Sequence, residues 1–219
     1  MICIVKCINV NIIKENRGKM MKVVLREYYD RWQYIKNATL NTVNLNKGKY
    51  PESEYKRKLL LSEHSPIRKL TFGWRWEGIK SWISVHLTRH KFGIDHFVST
   101  RRTDRTGVDR NTLRQDELVN HECEANAQSI INISRKRLCY CASQETREAW
   151  QLFLDEIVKP KEPELYSVCV KECVYRGGLC PEMFPCGYVN SSKFKEELKN
   201  YWKDTNARKD LNEYIQKGE

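Results

Sequence analysis

Apolar residues recur along the chain with two different periods. Lys22-Val23-Val24-Leu25-Arg26-Glu27-Tyr28-Tyr29 is rich in β-branched and aromatic residues and predicts a first strand. Asp30 then caps a helix reaching to about residue 43, with Trp32, Ile35, Thr39 and Val43 at helical spacing. Asn46-Lys47-Gly48-Lys49-Tyr50-Pro51 reads as a turn, and Ser53 to Ser62 as a second helix. Leu70-Thr71-Phe72-Gly73-Trp74-Arg75-Trp76 alternates as a strand does. Ile79 to His90 predicts a helix on which Ile79, Trp82, Ile83, His86 and His90 share one stripe. Residues 91–115 read as irregular and charged, and Leu118 to Arg137 as a third helix. Ser143 caps a fourth, with Ala149, Trp150, Leu152, Phe153, Ile157 and Val158 apolar, stopped by Pro160. Ser191-Ser192 begin a last amphipathic helix carrying Phe194, Leu198, Tyr201 and Trp202. The pattern describes a mixed α+β chain, mostly helical, without internal repeats and without a domain boundary before about residue 160.

Composition narrows the class. In 219 residues, 40% are hydrophobic and 11% aromatic, enough for a core and against wholesale disorder. Apolar runs such as Leu59-Leu60-Leu61 fall far short of the roughly 20 residues a membrane helix needs. A formal charge of +11 favours anionic partners: phosphates, nucleotides or nucleic acid. The opening MICIVKCINVNII lacks the basic start and small-residue cleavage site of a secretory signal. Nine cysteines, an odd number in a chain of this length, suit a reducing, cytoplasmic setting. Cys169, Cys173, Cys180 and Cys186 are spaced C-x3-C-x6-C-x5-C, which offers either a set of zinc thiolates or ordinary small buried and surface side chains.

Candidate chemistry concentrates in Leu87-Thr88-Arg89-His90-Lys91-Phe92-Gly93-Ile94-Asp95-His96-Phe97-Val98-Ser99-Thr100-Arg101. Arg89 and Lys91 suit phosphates, His90 a hydrogen bond or a stacked planar ring, and Ser99 with Arg101 a second anion cradle. His86 lies one helical turn before His90 and looks into the same space. Seven Lys/Arg against three acids between Arg89 and Arg114 also fit a plain solvated basic loop.

The same segment resembles the signature of flavin-dependent thymidylate synthases: Arg-His-Arg, seven residues, Ser, any residue, Arg. Arg89-His90-Lys91, Ser99, Thr100 and Arg101 fit that spacing, with Lys for the third basic residue. Glu63-His64-Ser65-Pro66 resembles the family's Glu-His region near the flavin. Asn126-Ala127-Gln128-Ser129-Ile130-Ile131-Asn132 resembles its Asn-Ala-Arg-Ser-Leu-x-Asn helix, with Arg137 at the position of a nucleotide-binding Arg. The match runs from about Val23 to Ile157. Departures are Lys91, Gln128 for Arg, His86 for Gln, Arg102 for Tyr, and His96-Phe97 where the family carries Asn-Glu.

The resemblance implies a mostly antiparallel central sheet packed with helices, in the manner of thymidylate synthase-complementing proteins. It divides the chain into an N-terminal extension (1–20), a catalytic domain (21–160) and a cysteine-rich helical extension (161–219). It implies a homotetrameric flavoprotein of dTMP nucleotide biosynthesis with active sites shared between subunits. FAD, reduced by NADPH, and methylenetetrahydrofolate serve the methyltransferase reaction on dUMP. His64, Arg89, His90, Lys91, Asn126, Gln128 and Asn132 are then the flavin-side residues, and His86, Ser99, Thr100, Arg101, Arg110 and Arg137 the substrate-side ones. Ser99, Arg101 and Arg137 stand closest to the chemistry, with Ser99 positioning substrate. No metal is implied, membranes and nucleic acid are not partners, and a small divergent synthase of this kind suits a viral or bacterial genome. Two rivals remain: a related flavin and folate enzyme that hydroxymethylates a pyrimidine nucleotide, and a non-catalytic nucleic-acid-binding module.

Overall fold

The computed structural model describes residues 21–45 and 48–203. The expected N-terminal extension, Asn46-Lys47 of the expected turn and residues 204–219 lie outside the described residues. β1 (Lys22–Tyr28) leads into α1 (Trp32–Asn41), where Asp30 accepts the Trp32 N–H at 2.9 Å. α2 (Ser53–Leu61) ends just before Glu63, whose φ of 50° turns the chain into a 3₁₀ turn at Ser65–Lys69. β2 (Thr71–Lys80), α3 (Ser81–Leu87), β3 (Ile94–Val98), α4 (Thr103–Thr106), β4 (Leu118–Asn126) and α5 (Ala127–Arg137) follow. α6 (Gln144–Phe153) runs through a π turn (Leu154–Val158) into α7 (Lys159–Lys161), then come α8 (Pro163–Val168), α9 (Glu172–Tyr175) and α10 (Ser192–Trp202).

The four strands form one sheet in the order β1-β2-β4-β3, every neighbouring pair antiparallel. Phe72, Trp74 and Trp76 alternate along β2, so all three side chains enter the same face. Trp74 stacks on Phe153 of α6 with ring centroids 3.9 Å apart, and the Trp76 indole donates to Ala149 O at 3.0 Å. The Trp150 indole donates to Ser134 on α5 at 2.9 Å, which ties the two long helices together under the sheet. Leu165, Val168, Val174, Phe194 and Tyr201, all beyond residue 160, are buried in that same core. Buried Glu162 accepts the Tyr28 hydroxyl and, at 2.8 Å, the Trp32 indole N–H, which pins the segment after α7 to β1 and α1.

Four expectations change. The helix expected over Leu118–Arg137 is half strand: Val119, His121, Cys123 and Ala125 are buried at period two while Asn120 and Glu124 face water. A His and a Cys on the inner face hide that alternation from a hydrophobicity count. β3 lies in a stretch expected to be irregular; it is an edge strand whose partner is β4. The helix expected from Ile79 begins only at Ser81, because a bulge at Glu77-Gly78, with Gly78 at φ 69°, carries β2 to Lys80. Pro160 does not stop its helix. The π turn shifts the bonding so that the Lys159 N–H reaches Leu154 O, and the missing N–H falls after the irregularity.

Candidate functional site

α5 begins where β4 ends because Asn126 caps it, its side chain accepting the Ser129 N–H at 3.0 Å. Sequence spacing treats Asn126 as a helical residue with no packing role; its position as cap supplies one. Ser129 donates to Phe92 O at 2.6 Å, which fastens the loop before β3 onto the start of α5. Gly93 fills the joint at φ 67°, and a Cβ there would stand 2.3 Å from Ser129 Oγ and 2.5 Å from Asn126 Nδ2. The two motifs thus meet through tight packing that only glycine permits.

At the far end of α5, Arg137 returns to the end of α3. Its Nε–H donates to His90 Nε2 at 2.8 Å and its guanidinium reaches His86 O at 2.5 Å. His90 is therefore neutral, with its proton on Nδ1. Burial, then the charge of Arg137, holds its pKa down at about 4. The His86 pKa is lowered for the same reasons, and its Nδ1 lies 3.1 Å from Thr146 Oγ1. Arg89 and Lys91 flank His90 on the exposed rim.

On the neighbouring stripe of α5, Gln128 donates to Glu63 Oε2 at 2.5 Å and lies 3.4 Å from Asn132 Oδ1. Arg135 closes the group by pairing with Glu63, donating to Asn132 at 3.1 Å and covering the Tyr175 ring at 3.5 Å. His64 stands beside Glu63 with a buried Nδ1 that has no hydrogen-bond partner among the described residues. Arg135 is the member that the motif spacing does not single out, and Glu63 enters the motif without a partner assigned to it.

The remaining motif residues lie elsewhere. Ser99 exchanges bonds with Asn120 at the other end of β3, accepting its N–H at 3.0 Å. Arg101 donates to Ser81 Oγ and Arg114 O, both at 2.8 Å, at the start of α3. Thr100 accepts the Arg102 N–H at 3.2 Å, and Arg110 is exposed. Five residues of extended chain lie between Gly93 and Ser99, and His96, midway along them, bonds the His90 carbonyl at 2.8 Å. Among the described residues, no hydrogen bond joins Ser99, Thr100, Arg101 or Arg110 to His90 or Arg137. A cleft of about 660 Å³ opens near Arg114, between Lys80, Ile83, Leu118 and Glu145, and none of the expected site residues lines it.

Between the groups, inside the sheet, His96, His121 and Cys123 bring one ligand atom each within 4.8 Å of one another. His96 Nδ1 lies 2.9 Å from His121 Nε2 and 3.2 Å from Cys123 Sγ, while its Nε2–H donates to His90 O at 2.8 Å. Burial lowers the His121 pKa to about 4 and raises that of the Cys123 thiol. The sequence signal for this trio is the alternation along β4, legible only once that stretch is read as a strand. The four cysteines expected together divide: Cys169 is buried beside Ser134 and Arg135, its thiol pushed up to about 12 by burial, away from the cavity that Cys173, Cys180 and Cys186 line.

A four-stranded antiparallel sheet whose inner face packs on helices, with motif residues at both ends of its edge strand, defines the class of this α+β fold. It is similar to solved flavin-dependent thymidylate synthase structures. One is ThyX from Helicobacter pylori complexed with FAD and dUMP, at TM-score 0.55 and 11% identity over 68% of this chain and 99% of that one. A second Helicobacter pylori ThyX structure with FAD and dUMP gives TM-score 0.52 and 15% identity over 69% and 99%. No protein-family model and no curated protein matches the chain. Among the described residues no helix is long and apolar enough to cross a membrane.

Proposed function

We propose that the chain is a flavin-dependent thymidylate synthase-like enzyme that binds FAD along the α3–α5 side and a pyrimidine nucleoside monophosphate, dUMP, beside it. The observation that carries this reading is the bond between His90 and Arg137, residues of two separate motifs, on a fold similar to that of ThyX. The donor set fits a flavin nucleotide: exposed Arg89 and Lys91 for its phosphates, the Asn132 and Gln128 amides for its ring edge, and the unpaired His64 nitrogen as a ready partner. When bound, the flavin supplies the hydride that completes the methyl group, with NADPH and methylenetetrahydrofolate as co-substrates. The protein's part is to orient and to neutralise. Neutral His90 presents a fixed tautomer, and Arg137 keeps its charge at the junction where a uracil carbonyl develops negative charge.

The exposure of Ser99, Thr100 and Arg110, none of them bonded to His90, suits a shared site. In a homotetramer, that exposed loop of one copy can deliver its cations to the phosphate bound at the buried half of another. A second reading keeps the cofactors and changes the product to a hydroxymethylated nucleotide. Phe97, 62% exposed beside His96 where the resemblance implies Glu, favours it.

The deciding experiment is an absorbance spectrum of the purified chain, a dUMP titration, and product mass analysis with folate donor and reductant. Bound flavin and a mass gain of about 14 support methylation, and a gain of about 30 assigns hydroxymethylation. Colourless protein that rejects added FAD and binds DNA in a salt-sensitive way overturns both.

A further inference from the structure

Away from the histidine cluster, a small cavity of about 20 Å³ lies between the end of α5, the start of α9 and the loop that follows α9. Four thiols line it: Cys139 just past α5, Cys173 within α9, and Cys180 and Cys186 from the loop. A space of that size holds about one water-sized or ion-sized occupant.

The loop supplies the second observation. From Arg176 to Gly187 all but Gly178, Cys180 and Glu182 are exposed, and residues 180–187 contain neither helix nor strand. Leu179, Met183 and Phe184 are 72%, 86% and 82% exposed, so the loop's own apolar side chains bury almost nothing. Burial therefore contributes little against the entropy of ordering this stretch. Segments that fold without a core of their own depend on cross-links or metals, and these thiols form no disulfide. The backbone is shaped to bring them together. Gly177 and Gly178, at φ 67° and 112°, reverse the chain so that the Gly178 N–H bonds Cys173 O at 2.8 Å. That reversal sets Cys180 beside Cys173 on the cavity wall.

The geometry points to a structural zinc site in which Cys139, Cys173, Cys180 and Cys186 bind a single ion and close the 176–187 loop onto the end of α5. Four soft sulfurs suit tetrahedral zinc, and no position is left open for a substrate. On binding, each thiol loses its proton to solvent and its sulfur donates a lone pair to Zn²⁺. Four protons leave, and the centre carries two negative charges. Lys171 lines the cavity, and Lys136 lies 3.8 Å from Glu172 on its wall, so cations stand near that charge. The sulfurs surround the cavity rather than crowd one point, so the ion draws the loop inward. Cys141 is outside the cavity lining, although its thiol lies beside those of Cys139 and Cys186 and donates to Phe184 O at 3.6 Å. The trio in the sheet is the competing holder, but its atoms are already bonded to one another and to His90 O.

The test uses the full chain, purified without chelator, then stripped and refilled with Zn²⁺ or Co²⁺. A single zinc per chain and a thiolate-to-cobalt absorption band are expected. Alkylation followed by mass spectrometry should find Cys139, Cys173, Cys180 and Cys186 protected with metal and reactive after chelation, with Cys141 reactive in both states. Cys186→Ser, at an exposed position, should lower zinc affinity by at least the roughly 100-fold that loss of an outer-shell partner alone can cost. Cys169→Ala should keep the zinc. Absence of both zinc and the cobalt band overturns the assignment in the unaltered chain, whatever the variants do. So does metal that survives Cys186→Ser but is lost in His96→Gln or Cys123→Ser, and so does an iron chromophore in place of zinc.

Discussion

The two groups of motif residues are held in opposite ways. His90, Arg137, Asn126 and Gln128 sit where α3, β4 and α5 meet, and each is bonded to protein before any ligand arrives. Ser99, Thr100 and Arg110 are exposed on the far side of β3, and Arg101 alone is drawn in, by Ser81 and the Arg114 carbonyl. One half is preorganised by the core, so its mutation costs stability and, on the proposed function, binding too. The other half presents charge on a loop, so on the proposed function its exposed members act on binding and carry little stability. The proposed shared site is in keeping with that division, because a loop that serves a neighbour cannot be packed into its own core.

The largest expected effect tests the joint under the buried half. Gly93→Ala forces a Cβ into Ser129 and Asn126 at a left-handed φ. It should lower unfolding free energy by about 3 kcal/mol in urea titration; a loss below about 1 kcal/mol would show that α5 and the β3 loop are not locked together.

Acid should act next. His90 and His121 both titrate near pH 4 in the folded chain against an ordinary value of 6.5. Between those values the unfolded chain binds more protons, so stability is complete above about pH 6.5 and is lost as the pH falls toward 4. Burial of His121 makes this on the order of 2–3 kcal/mol, read by urea midpoints at pH 7.5 and 5. His121→Gln should flatten the dependence, and an unchanged slope would remove His121 from the account.

Arg137→Ala leaves the His90 ring nitrogen and His86 carbonyl without their donor, which should cost about 1–3 kcal/mol. It should also weaken dUMP binding by about tenfold while flavin is retained, the loss of a charge-assisted contact. Equal nucleotide affinity in calorimetry would separate Arg137 from the substrate. Asn126→Ala removes a helix cap and should cost about 1 kcal/mol. The smallest effect on stability belongs to the exposed half: Arg110→Ala should change it by no more than about 0.5 kcal/mol while still weakening dUMP binding. A thermal shift as large as that of Arg137→Ala would erase the contrast between the halves.

Individual residues show what could be read in advance. The alternation of Phe72, Trp74 and Trp76 announced a strand because large apolar groups at period two have no other good packing. Ser191 announced a helix start, and its hydroxyl accepts the Phe194 N–H at 3.2 Å. β4 went unrecognised because its inward residues include a histidine and a cysteine, buried here only because β3 and Trp76 cover them. In the candidate site, Arg89-His90-Lys91, Asn132 and Arg137 are legible from spacing, whereas Glu63 and Arg135 become neighbours only when the 3₁₀ turn after α2 packs on α5.

By itself, then, the sequence determined the local periods, the motif spacings and the positive charge, since these depend on neighbours a few positions apart. Which cysteines share a cavity, which histidines stay neutral, and which partners Ser99 and His90 bond were decided only by tertiary structure. Those properties depend on burial and on contacts between residues dozens of positions apart, for which a linear chain carries no distance.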